Sequence, residues 1–361
     1  MKVQWTCEQA NEWYKKLGWL RGCNFIGSDC ANRLDMFQKY KSEEKLATAE
    51  RELAICQKIG FNTVRIWANF DVYYAEPDSY MEIFDRYIDL CGKYGQKVMV
   101  VLAHEEDLPR GDVFVPKKMG EQAYALGYHQ GRFPLSEEEK AKEPRHYMEY
   151  PELREKYLEM VRRTVRKYAH DDRIFCWNVM NEPGITIGDR TLELLRLLFQ
   201  TVRAEDPDQP LCADIWRSVK NGKIETSAEQ LALELSDVIS FHCYSAYWKV
   251  VAEIRFLQQF NRPMFMTEWL HRINHNTVEE IYPLLYITNV SGYCWGFVVG
   301  KTQTNEPWDF MWDQLDLGED HGYDFTKWQH DLFRPNGRPY DPKEIDLIRK
   351  INDLAEAEAK K

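Results

Sequence analysis

Eight short and almost wholly apolar runs recur along this chain, and most are separated by a segment long and amphipathic enough to be a helix. The runs fall at residues 22–26, 61–67, 98–103, 174–180, 211–216, 238–244, 263–267 and 292–298. Strands covered by helices on both faces are apolar throughout, so this alternation predicts an α/β protein built on a parallel sheet. Eight such strands are the number that closes a (β/α)8 TIM barrel, and one barrel accounts for residues 1–361 as a single domain. A doubly wound open sheet is the alternative fold, but no Gly-x-Gly-x-x-Gly motif follows any of the strands.

The helices between the strands have readable ends. Residues 43–59 form a helix that Gly60 terminates, and Ser79-Tyr80-Met81-Glu82 reads as a capping box opening the next one. Leu153, Tyr157, Val161, Val165 and Tyr168 share one helical face, residues 192–204 make a further helix, and a C-terminal helix spans 342–357. The polar connection 104–150 after the third strand far exceeds ordinary loop lengths and predicts a functional wall.

Charge and cysteine usage exclude several classes. The net charge of -11 arises from 58 acidic against 47 basic residues, with no long basic run to grip a phosphate backbone, so nucleic acid is not an expected partner. No apolar stretch is long enough to span a membrane, and residues 1–20 lack the pattern of a signal peptide, so a cytoplasmic location is expected. Nine scattered cysteines, an odd number without Cys-x-x-Cys spacing, read as reduced core residues rather than a disulfide framework or zinc site. Oligomeric state is not legible.

Two glutamates follow apolar runs at the points where a barrel presents its reactive side chains. Glu182 ends Trp177-Asn178-Val179-Met180-Asn181-Glu182-Pro183, and Glu268 ends Pro263-Met264-Phe265-Met266-Thr267-Glu268. Two carboxyls facing one pocket suit glycosidic-bond cleavage, which needs a protonated acid on the leaving oxygen and an ionised carboxylate across the sugar. Arg65 is a cation inside an apolar strand, costly to bury without an anion, and Glu268 is its candidate partner. His104 follows the third strand, and period two places His242 and Tyr244 on one side of the sixth. Trp295 in the eighth strand offers a platform for a sugar face. Each residue alone has a plain structural reading as core or turn; their shared address at strand ends favours one site.

This ordered set resembles the clan A retaining glycoside hydrolases, and most specifically glycoside hydrolase family 5. The resemblance implies Glu182 as acid/base after strand four and Glu268 as nucleophile after strand seven, about 5 to 5.5 Å apart, with Arg65, His104, Asn181, His242, Tyr244 and Trp295 in support. It implies no cofactor and no metal. Asn24, Trp67, Trp216 and Trp269, with Lys301, Gln303, Asn305 and Trp308 in the last loop, are further candidates for sugar subsites or for packing. The implied substrate is a short β-linked oligosaccharide, cleaved by exo-acting β-mannosidase action. An endo-β-1,4-glycanase (xylanase, mannanase or glucanase) remains the nearest alternative. A metal-dependent barrel hydrolase using His104 and His242, and a catalytically inactive sugar-binding barrel, remain alternatives of other classes.

Overall fold

The computed structural model describes residues 3–217, 222–319 and 321–360. Its eight strands are β1 (Arg21–Asn24), β2 (Thr63–Trp67), β3 (Lys97–Val101), β4 (Ile174–Met180), β5 (Leu211–Ile215), β6 (Ile239–His242), β7 (Met264–Trp269) and β8 (Ser291–Cys294). They pair in sequence order, all parallel, and β8 closes on β1. Several strands are shorter at their C-terminal ends than the apolar runs suggest. There the barrel mouth splays, and single bonds such as Phe25 N–H to Arg65 O (2.9 Å) and Trp295 N–H to Trp269 O (2.8 Å) outlast the regular ladder.

Outward-facing strand residues such as Val64, Ile66, Val98, Val100, Val179 and Ile215 pack with the surrounding helices in the main core. The lower interior is a separate apolar plug of Met99, Cys176, Cys212, Phe265 and Tyr293. A helix before β1, Cys7–Leu17, seals that end of the barrel. Thr6 and Gln9 form its capping box, Glu8 and Lys15–Lys16 suit its dipole, and its apolar face points Trp13 at Phe175 (6.4 Å, stacked) and Tyr14 at Phe265 (5.5 Å). The Tyr14 hydroxyl is satisfied by Ser291 Oγ at 2.9 Å.

The helix after β2 begins earlier than its sequence suggests. It spans Pro77–Lys93, so Ser79 lies inside it and caps nothing; Pro77 opens it because the first turn needs no proline amide hydrogen. The C-terminal helix is Pro342–Ala359. The connection from β3 contains one short helix, Glu137–Lys140, and two single turns, His129–Gly131 and Tyr147–Glu149. The β8 connection carries the helix Asp309–Asp316. All nine cysteines are free thiols, eight of them buried, and no described helix is long and apolar enough to cross a membrane.

Strand packing leaves no room for a side chain at Gly22, where a Cβ would lie 1.8 Å from the Thr63 carbonyl oxygen. That oxygen is backbone of β2 and cannot rotate away. Gly22→Ala is therefore expected to destabilise the protein by about 3 kcal/mol or more, at the upper end of overpacking costs, measured as a lowered urea midpoint.

Candidate active site

The upper interior of the barrel is polar, and Arg65 stands at its centre with no exposed surface. One terminal nitrogen donates to Glu268 Oε1 (2.8 Å) and Asn24 Oδ1 (3.0 Å), the other to Asn181 Oδ1 (2.6 Å) and Asp214 Oδ2 (2.8 Å). Four strands and the residue just past a fifth, Asn181 after β4, meet at this one guanidinium. Asp214 also accepts from Asn178 Nδ2 (2.8 Å), Thr267 Oγ1 (3.1 Å) and the Ser240 hydroxyl. Burial alone would raise the Asp214 carboxyl, but Arg65 and His242 outweigh it and hold the group well below the usual carboxylate range. Burial likewise opposes a charge on His242, yet Glu268 and Asp214 reverse the balance and lift it to about 10. At neutral pH His242 is therefore an imidazolium between carboxylates.

Backbone irregularity sets where the two glutamates point. Strict alternation would turn Glu268 outward with Met266 once Thr267 faces in. Instead the β6–β7 register slips, pairing Phe241 with Met266 and His242 with Glu268, and both Thr267 and Glu268 reach the interior cluster. Glu182 sits at φ +42°, a left-handed conformation costly for a side-chain-bearing residue. Its surroundings compensate. Asn181 bonds back to Ala103, the fully buried Glu105 carboxylate accepts from the amides of Gly184 (3.1 Å), Thr186 (3.0 Å) and Ile187 (3.1 Å), and Trp216 Nε1 donates to Pro183 O (3.2 Å).

The two carboxyls converge. His242 Nδ1 lies 2.7 Å from Glu182 Oε1, Tyr244 donates its hydroxyl to Glu268 Oε2 (2.7 Å), and ligating atoms of Glu182, His242 and Glu268 all fall within 4.8 Å of one another. Burial raises Glu182 to about 7, reinforced by the Glu268 charge and opposed by His242. This donor set could in principle clasp a cation, but a charged His242 offers no lone pair and the Glu268 oxygens already accept from Arg65 and Tyr244. The local charge disfavours a metal.

A cavity of about 1470 Å³ adjoins this cluster, with Asn24, Trp67, His104 and Trp295 on its wall; Glu182 and Glu268 stand beside it rather than on its lining. Trp67 and Trp295 meet edge to face at 5.4 Å. Burial and the nearby Arg33 charge push His104 down to about 3, so it is neutral. Behind Tyr244, the Trp308 ring packs edge-on at 5.2 Å, making Trp308 a buttress of that ring. The β3 and β8 connections are tied across the mouth. Gln303 Oε1 accepts from Gly127 N (2.6 Å), its Nε2 donates to Ala125 O (2.6 Å), and His129 Nδ1 meets Glu306 O (2.8 Å).

Some residues singled out in the sequence lie elsewhere. Trp269 turns outward into the helix layer, 1% exposed and 6.0 Å from the Tyr282 ring, because the irregularity that brings Glu268 inside sends its neighbour out. Gln303 spends its amide on the loop bridge, Trp216 braces Pro183, Lys301 sits at the rim 3.9 Å from Glu121, and Asn305 bonds Glu306. Asp214 and Glu105 escaped sequence reasoning. Asp214 carried a signal, an acid inside an apolar run, as Arg65 did.

A closed parallel barrel with two convergent carboxyls at the C-terminal ends of β4 and β7 defines a retaining O-glycosyl hydrolase. The cellulase model (glycosyl hydrolase family 5) matches residues 24–294, and the chain belongs to that family. No curated protein matches the sequence. Solved structures share the fold at low identity. An endo-β-1,4-mannanase from Thermotoga petrophila has 14% identity and a TM-score of 0.54, over 94% of this chain and 77% of that one. A family 5 mannosidase from Rhizomucor miehei, in complex with mannosyl-fructose, has 13% and 0.58 over 95% and 94%. A GH5_18 protein from Streptomyces cattleya, in complex with Manβ1-4GlcNAc, has 13% and 0.55 over 93% and 80%.

Removing the Asp214 charge leaves two buried cations short of an anion. Asp214→Asn is expected to cost about 3 to 5 kcal/mol in urea unfolding, the range for a broken buried pair, and to lower the His242 pKa seen by NMR titration.

Proposed function

We propose that Glu268 is the nucleophile and Glu182 the acid/base of a double displacement on short β-linked oligosaccharides. The observation that carries this reading is the asymmetric surroundings of two carboxyls within one short gap. Glu268 accepts from Arg65 and Tyr244, which aim its oxygens, while burial keeps Glu182 protonated at mildly acidic pH. One oxygen of each carboxyl lies within 4.8 Å of the other, a close spacing that favours double over single displacement.

In the first step Glu268 attacks the anomeric carbon as Glu182 gives its proton to the departing oxygen. Formation of the ester removes the Glu268 charge, one of the forces raising Glu182. Glu182, now ionised, takes a proton from the water whose oxygen bonds the anomeric carbon as the bond to Glu268 breaks, which restores both groups. Asn181 presents its Oδ1 to Arg65, which turns its amide NH2 the other way, toward a sugar 2-hydroxyl.

The loop bridge favours a pocket over an open groove, and with it exo-action by a β-mannosidase. A mannosidase and a Manβ1-4GlcNAc complex among the fold relatives speak for mannosides. The endo-mannanase relative keeps internal cleavage as the second reading. Free buried thiols favour a cytoplasmic setting, where imported short sugars are the accessible substrates.

Glu268→Ala and Glu182→Gln are each expected to lower kcat on an aryl β-mannoside by about three orders of magnitude or more while still folding cooperatively, with Glu268→Ala melting lower because Arg65 loses one of its two anions. Near-normal turnover by either purified variant would overturn the assignment. Glu182 must carry its proton, so kcat/KM should fall about tenfold per unit as pH rises beyond about 7, and this alkaline limb should vanish in Glu182→Gln.

Product anomers followed by NMR should retain configuration, and a chelator should leave the rate unchanged. Single sugars released from one chain end support the pocket; mixed internal fragments favour the endo reading.

A further inference from the structure

Beyond the carboxyl cluster the cavity contains a second polar site that the hydrolytic machinery does not use. Arg33 comes from the short helix Arg33–Phe37 after β1, and Glu106 from the start of the long β3 connection. Their terminal atoms meet at 2.5 Å, and both side chains keep partial exposure (15% and 17%) toward the cavity they line. The Arg33 guanidinium lies 4.8 Å from the centre of the Trp67 ring, and Arg65 lies 4.6 Å from the same ring. One indole is thus shared by this pair and by the guanidinium that holds Glu268.

The Trp67 indole explains why a ligand belongs here. Trp67 is 4% exposed and its Nε1 hydrogen has no protein acceptor, although the ring lines the cavity. His104 Nδ1, on the same wall, is also buried without a partner. A buried donor without an acceptor is costly, and an incoming oxygen relieves the cost. The neighbouring charges are matched: Arg33 with Glu106, Arg132 with Asp107 (3.2 Å) and Lys117 with Asp71 (3.1 Å). Matched charges give no net pull on an anion. They supply donors and carboxylate acceptors side by side, the set that two neighbouring neutral hydroxyls require.

We infer that Arg33, Glu106 and Trp67 Nε1 form the specificity site for the sugar on the Glu268 side of the scissile bond. They read adjacent hydroxyls at its far edge, with Glu106 accepting, Arg33 and Trp67 donating, and the ligand class a neutral hexose. The inference rests on the glycosidase reading above and deepens it. A further unit attached at that edge would have to displace the Arg33–Glu106 pair, so the sugar the site reads is the last one of its chain.

The test uses steady-state kinetics on aryl β-mannosides with the 3- or 4-hydroxyl present or removed, for wild type, Glu106→Gln and Arg33→Lys. Both substitutions keep size, and melting temperature confirms folding. For wild type, deleting one of these hydroxyls should lower kcat/KM about 100-fold, as for a site built to hydrogen-bond it. Each variant should lose a similar factor on the intact substrate and almost nothing further on that deoxy substrate, so the two losses fail to add. Should the variants lose the same factor on both substrates, or lose nothing, the inference fails while the glycosidase reading stands. A wild type that cleaves no β-glycoside fails the underlying reading instead, and with it the inference.

Discussion

A single buried guanidinium organises the upper half of this barrel. Arg65 on β2 is bonded to side chains from β1, β5 and β7 and to Asn181 just past β4. A bare cation at that depth would be untenable, and one anion would leave donors unused. The interior is therefore built as a charge-balanced lattice, in which Asp214 and Glu268 answer Arg65 and His242. Function and stability share this lattice. The contact that keeps Arg65 soluble inside the protein also fixes the oxygen of Glu268.

The rest of the site is arranged by departures from regularity. A register slip in β7 puts two consecutive side chains inside, and a left-handed residue at 182 turns its carboxyl toward His242. Side chains around the two acids brace them. Glu105 clamps three amides of the loop after Glu182, and Trp308 backs the ring of Tyr244. Precision at the reacting centre depends on such supports, because small misplacements of a carboxylate are costly in rate.

Much of this was legible from residue order because period and polarity are local properties. Arg65 stood out as a charge within Thr63-Val64-Arg65-Ile66-Trp67, and Glu182 and Glu268 as acids ending apolar runs. Trp269 stayed open between subsite and packing, since alternation says nothing about where a strand slips against its neighbour, and it packs in the helix layer. The same logic missed Ser79 as an interior helix residue and Asp214 as the second anion of Arg65. Gln303 and Trp216 were candidates for subsite or packing, and their polar atoms are spent on backbone 176 and 33 residues away in sequence. No local pattern announces a partner at that distance.

The amino-acid order alone determined the eightfold strand and helix rhythm, the parallel sheet and the two acids at strand ends, because each follows from hydrophobic period and from the cost of burying charge. Only the tertiary structure set the different surroundings of the two acids. Those surroundings depend on distances among groups from different strands: His242 and the buried walls around Glu182, Arg65 and Tyr244 against Glu268. Electrostatic energy varies with separation in space, and barrel closure brings residues 65, 182, 214, 242 and 268 within reach of one another.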